Sequence, residues 1–170
     1  MGAACVGLPV CDLSAHAMVK CEEAAQWQRA MAAKWTLAAY RQHKKEISAV
    51  DFYDNALGSK LLSEARAGAF STLVRQRRIS DEVPSVVCRA CGKAKETIDH
   101  VVLLCDAIGA PAVEDITIGA ALGFELPGIV GDPDCAVDKT LVARTKGRLE
   151  RWRAESSQVL TAYVGQSAHV

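Results

Sequence analysis

The chain has 170 residues, half of them apolar, and twenty basic groups balance twenty acidic ones. This composition allows a folded core and excludes a histone-like polycation or an acidic disordered tail. Only nine residues are aromatic, so the core must be built mainly from Ala, Leu and Val, and no apolar run reaches the roughly 18 residues that a membrane helix needs.

Residues 1–18 are small, mixed and without period, and are expected to be poorly ordered. They carry no basic n-region, so a secretory signal is not expected. Residues 19–80 read as a helical segment. Its first helix spans Val19 to Lys45, rich in Ala and free of Gly and Pro, with Trp27, Met31 and Trp35 recurring every fourth residue. That period predicts one buried stripe, with the aromatics serving the core rather than a base-stacking platform. Asp51–Asp54 and Gly58 signal a turn. Leu61 to Arg78 predicts a second helix, with Leu61, Leu62, Ala65, Ala69 and Leu73 on one face and Phe70 and Val74 beside them. Arg66 projects inside that apolar arc. A charge there must find a carboxylate or a carbonyl cluster, and a structural ion pair is expected rather than a ligand contact.

Residues 81–107 hold the cysteine cluster discussed below. Residues 108–137 predict a short helix from about Ala112 to Leu122, with Glu114 and Asp115 in its first turn, and then an acidic loop. Residues 138–170 predict a long basic amphipathic helix and a tail. Leu141, Val142, Leu149, Trp152, Val159, Leu160 and Tyr163 share its apolar arc, bordered by Arg144, Arg148 and Arg151 on one side and Lys139, Lys146 and Arg153 on the other. Gly147 interrupts it at a cost of about 1 kcal/mol. The fold class is therefore mainly α: a small helical domain with a CCHC zinc knuckle module and a long C-terminal amphipathic helix.

Charge is balanced but segregated. Residues 60–95 carry eight basic and three acidic groups, 96–138 carry nine acidic groups and no basic one, and 139–153 carry six basic and one acidic. Blocks this long create local fields that the total conceals. They suit either basic helices docked on an acidic segment of the same chain or an external anionic partner.

Seven cysteines and no signal peptide argue against a disulfide framework and for an intracellular, reducing compartment, nuclear or cytoplasmic. Three of them join a histidine in the spacing Cys88-x2-Cys91-x8-His100-x4-Cys105. Two cysteines two residues apart can face one ion from a tight turn, and Gly92 follows where the chain bends back. Glu96 to Leu104 reads as a short helix with Thr97 as its N-cap, from which His100 faces the turn. Cys105 lies about 140° further round an ideal helix, so the helix should end or tighten there. Three thiolates and an imidazole suit tetrahedral Zn²⁺ with no open position, which is a structural rather than a catalytic site. The alternatives are an ordinary core cluster and a redox or nucleophilic cysteine. Cys5, Cys11, Cys21 and Cys135 have no ligand spacing, and His16, His43 and His169 read as solvated.

The segments FYDNALGSKLLSEARAGAFSTLVRQRR (52–78), CRACGKAKETIDHVVLLC (88–105), ALGF (121–124) and TKGRLERW (145–152) resemble the C-terminal region of non-LTR (LINE-like) retrotransposon reverse transcriptase polyproteins, the tick transposon group in particular. The resemblance implies that Cys88, Cys91, His100 and Cys105 are zinc ligands. It also implies a role in holding element RNA or target DNA during target-primed reverse transcription. The polymerase's acidic metal-binding pair is absent, since Tyr53-Asp54-Asn55 is not that motif, and no endonuclease part is present.

The expected function is a non-catalytic, zinc-stapled module that binds RNA or single-stranded DNA. Arg75, Arg77, Arg78, Arg89, Lys93 and Lys95 are its phosphate-contacting candidates. The alternatives are a structural or protein-interaction zinc domain, whose C-terminal helix docks a partner or a second copy, and a decayed element fragment without selected function. No paired carboxylates on one helical face, Gly-rich phosphate loop or open metal position points to an enzyme, and no membrane partner is expected.

Overall fold

A computed structural model describes residues 15–44, 50–110, 116–124 and 137–166, with backbone only at 16, 39 and 158–166. Among these the protein is mainly helical. α1 spans Ala15–Ala32 and is followed by a 3-10 turn at Trp35–Leu37 and by α2, Ala38–His43. α3 is Leu57–Arg66 and α4 is Leu73–Arg77. A π turn at His100–Leu104 and a 3-10 turn at Asp106–Ile108 precede α5, Ile118–Ala121, and α6, Lys139–Gln166. No strand is present among the described residues, only one isolated antiparallel bridge between Val87 and Lys95. No described helix is long and apolar enough to cross a membrane.

Both long N-terminal helices expected from periodicity are broken, and one contact explains both breaks. Gly68 has φ +64°, and a Cβ on it would lie 1.9 Å from the Thr36 carbonyl oxygen. The link between α3 and α4 therefore presses directly on the turn between α1 and α2. That approach needs Lys34 extended and Gly68 left-handed, so tertiary contact overrides helix propensity at both places. Thr72 restarts the chain as α4 by accepting a hydrogen bond from Arg75 N. The predicted Trp27–Met31–Trp35 stripe is lost with the helix. Met31 is buried, but Trp35 lies beyond the break and is 59% exposed. At the other end α1 begins at Ala15, inside the stretch expected to be poorly ordered.

α3 is positioned by polar contacts as well as by Leu61 and Leu62. Asp54 accepts hydrogen bonds from Ala56 N, the Ser59 hydroxyl and Lys146 Nζ. The Ser59 hydroxyl, the Ala56 amide and Lys146 hold its carboxyl down at about 2. Gly58 lets α3 touch α6, where Gly58 N donates to Glu150 Oε1 at 2.7 Å. The α6 stripe is satisfied within the chain as far as Trp152: Val142, Leu149 and Trp152 are buried against α3, the π turn and α5. Val159, Leu160 and Tyr163 lie outside the described side chains.

Arg66 corrects the expectation of an ion pair. It is 1% exposed, and no described carboxylate pairs with it. Its Nη1 donates to the carbonyls of Leu122 (3.1 Å) and Gly123 (2.9 Å) at the end of α5. Its guanidinium carbon lies 4.3 Å from the Phe124 ring centroid and 5.2 Å from that of Phe52, with Tyr40 and Tyr53 also within 6 Å. Two carbonyl dipoles and four ring faces replace the carboxylate. Asp51 and Asp54, the acids nearest in sequence to Phe52 and Tyr53, are spent on Lys139 and Lys146. Nor is His43 a lone solvated side chain, since its half-buried ring stacks on Phe124 at 5.6 Å. Of the helix expected from Ala112 to Leu122, the described part is α5, which starts at Ile118 with Thr117 capping it by accepting from Ala120 N; residues 112–115 lie outside the described residues. Glu114 and Asp115 lie outside the described residues, as do Cys5, Cys11, Cys135, His169 and the side chain of His16.

Two glycines on facing helices give opposite predictions. Nothing lies within 4 Å of a Cβ placed on Gly147, whereas one on Gly58 would sit 2.8 Å from both Lys146 Cβ and Glu150 Oε1. Gly147→Ala should therefore raise unfolding stability by about 0.5–1 kcal/mol. Gly58→Ala should lower it, both read from urea denaturation midpoints.

Candidate metal centre

The cysteine cluster is built on a short hairpin. Cys88 N donates to Ala94 O at 2.7 Å, Glu96 N to Val86 O at 2.7 Å, and Gly92 N to Cys88 O at 2.8 Å. Gly92 has φ +66°, the left-handed conformation that the reversal after Cys91 requires. Thr97 then caps the next helical stretch as expected, accepting from His100 N at 3.1 Å.

The helix ends at Cys105, whose backbone is extended, as expected, but it widens rather than tightens before it ends: Cys105 N donates to His100 O at 2.7 Å, an i to i+5 bond. A π turn sets residue i beside residue i+5, so it removes the angular offset that an α-helix would leave between them. His100 and Cys105 thereby reach the same place as the two hairpin cysteines. The four donor atoms all lie within 4.8 Å of one another. Cys88 Sγ and Cys105 Sγ are 3.9 Å apart, and Cys91 Sγ and His100 Nε2 are 3.3 Å apart. A disulfide would need sulfurs at about 2.05 Å, so the cysteines are thiols gathered around a point, and the cluster can hold a metal ion.

The protein environment acts differently on each sulfur. Burial pushes the Cys88 thiol up to about 12, although the amides of Cys91 and Ala90 favour its thiolate. Burial also raises Cys105. At Cys91 burial is outweighed by the amides of Lys93 and Ala94 together with hydrogen bonds from the neighbouring thiols, and its thiol falls below the ordinary value. Backbone N–H groups aimed at sulfur are what a thiolate ligand needs around it.

Two charged residues hold the cluster, and neither was assigned this role from sequence. Glu96 is 0% exposed. Its Oε1 accepts from Leu73 N at 2.9 Å and Arg89 Nη2 at 2.7 Å; its Oε2 accepts from Arg89 N at 2.9 Å and Arg89 Nε at 3.1 Å. Arg89 also donates to Ser71 O and lies 5.0 Å from the Trp152 ring centroid. The available signal was an opposite-charge pair at the two ends of the cysteine hairpin. Arg148, expected to snorkel at the border of α6, is 5% exposed. It donates to Val101 O at 3.3 Å and Cys105 O at 2.7 Å, and to the carbonyls of Gly109 and Ala110. It therefore caps the π turn that carries two of the donors. Its position about 20° from Leu141 on a helical projection was the overlooked sign.

The six basic candidates are not equivalent. Arg89 is committed to Glu96, and Lys93 forms an exposed pair with Asp106 at 2.6 Å. Arg75 Nε donates to Gly68 O at 2.9 Å, and Arg77 donates to the carbonyls of Asp81 and Val83. Arg78 and Lys95 are exposed. Fold and site together define a mainly helical protein with a Cys3His candidate metal centre. No family model matches the chain, and no curated protein or solved structure matches it either.

Removing one partner of the buried pair leaves the other charge uncompensated. Glu96→Ala should cost about 3–5 kcal/mol of stability, far more than Asp106→Ala, which removes only a solvent-screened contact at the exposed Lys93 pair and should leave the midpoint nearly unchanged. Paired thermal or urea denaturation of the two variants checks this.

Proposed function

We propose that the chain is a non-catalytic, zinc-stapled module that binds RNA or single-stranded DNA, and that it derives from the C-terminal region of a non-LTR retrotransposon reverse transcriptase. The observation that carries this reading is the convergence of Cys88, Cys91, His100 and Cys105. Tetrahedral zinc, with sulfur at about 2.3 Å and nitrogen at about 2.0 Å, sets its donors about 3.8 Å apart for two sulfurs and about 3.5 Å apart for sulfur and nitrogen. The distances of 3.9 Å and 3.3 Å lie close to those figures, and the remaining donor pairs lie within 4.8 Å. When bound, zinc supplies a cross-link between the hairpin and the π turn. Four protein donors leave no position for a reacting water, which supports a structural role. The derivation rests on the sequence blocks at 52–78 and 88–105.

Arg75, Arg77, Arg78 and Lys95 are the groups that support phosphate binding. The neutralisation of Arg89 by Glu96 and of Lys93 by Asp106 supports a second reading, a zinc-stapled protein-interaction domain.

Freshly purified protein is expected to carry about one zinc per chain, and exhaustive chelation should unfold at least residues 80–106. Full helicity and an unchanged melting curve after chelation would overturn the staple. Zinc must displace the protons that burial holds on Cys88 and Cys105. Zinc affinity should therefore rise from pH 6 to pH 8 in competition with a chromophoric chelator. Single-stranded RNA binding, followed by anisotropy, should weaken with salt at a log–log slope of about −3 for four phosphate contacts. No binding at about 50 mM salt would favour the protein-interaction reading.

A further inference from the structure

A cleft of about 350 Å³ opens between the Trp35–Leu37 turn, α2, α4 and the residues that lead into the π turn. Phe70, Val74, Ile98 and Leu122 give it an apolar lining, and Trp35, Arg75, Arg78 and Asp99 add polar and aromatic groups. Its volume is at the small end for a ligand site and suits one nucleotide rather than a helix or a folded partner.

Trp35 is the unusual feature. It is 59% exposed although the chain has only three tryptophans. Core packing does not hold it there. The backbone does, because Thr36 is pressed onto Gly68 at a distance that tolerates no side chain. Beside it, Arg75 is fixed through Nε to Gly68 O, so the same glycine link places both the indole and one guanidinium. Arg78 is exposed and makes no side-chain hydrogen bond or ion pair with the described residues. An indole face, two cations and an apolar floor are the parts that sequence-tolerant single-strand sites use.

We infer that this cleft is where a single strand is held: one base stacks on Trp35 over the apolar floor, and the adjoining phosphate is taken by Arg78 and Arg75. The Asp99 carboxylate accepts an N–H from the base edge and repels phosphate, which sets the direction in which the strand lies. The inference rests on the nucleic-acid reading above and names its contact surface.

The test uses the zinc-loaded full chain and a labelled oligouridylate of about a dozen nucleotides. Trp35→Ala should weaken binding about tenfold or more, while Trp35→Phe retains most of the affinity. Neither should change the salt slope, whereas Arg78→Gln should reduce it by about 0.7. Circular dichroism melts of the Trp35 variants should match the parent, since the side chain is exposed. Binding of Trp35→Ala within about twofold of the parent would overturn the inference while leaving the nucleic-acid reading intact. Failure of the parent itself to bind at about 50 mM salt would overturn both.

Discussion

The buried carboxylate of Glu96 is the contact on which the arrangement depends. Its four hydrogen bonds join the start of α4 to the first cysteine turn, and Arg89 carries the connection on to Ser71 and to Trp152 of α6. A carboxylate with no solvent access is tolerated only because a guanidinium and two backbone amides satisfy both oxygens. The backbone follows the same route, since Val74 N donates to Glu96 O. The hairpin that carries Cys88 and Cys91 is thus oriented by the helical core before any ion is considered.

The other half of the cluster is oriented by the same device with the sign reversed. Arg148 brings a positive charge to the carbonyl end of the π turn, where unsatisfied oxygens gather. Its cation also offsets the net negative charge that three thiolates and a divalent ion would carry. Each half of the donor set therefore has its own buried ion as an anchor. Both anchors reach α6, through Trp152 on one side and Arg148 on the other.

The donors themselves were legible because ligand identity and spacing are local properties of eighteen residues. Thr97 was legible for the same reason, as a cap acts over three residues. The breaks at Lys34 and Gly68 were not, because the cause of each lies in the other segment. A period-four stripe carries no mark of the backbone contact that ends it. Arg66 was half legible: its place in the apolar arc required compensation, and carbonyls were among the options. That aromatic rings would supply the rest depends on Phe52, Tyr53, Tyr40 and Phe124 meeting from three separate segments. The basic cluster before and within the cysteine hairpin read as one patch, yet Glu96 and Asp106 divide it into spent and free charges.

The distance along the chain between the donors and Arg148 has a consequence for how the protein is made. The last donor is residue 105 and its capping arginine is residue 148, a gap of 43 positions. At 5–20 residues per second, a ribosome needs roughly 2–9 seconds to cross that gap. During this interval the thiols have emerged without the helix that later packs on the π turn, open to oxidants and to any soft cation nearby. Early capture of an ion by the four donors would shield them, and the supply of metal at the moment of synthesis would then govern how much of the newborn chain escapes oxidation.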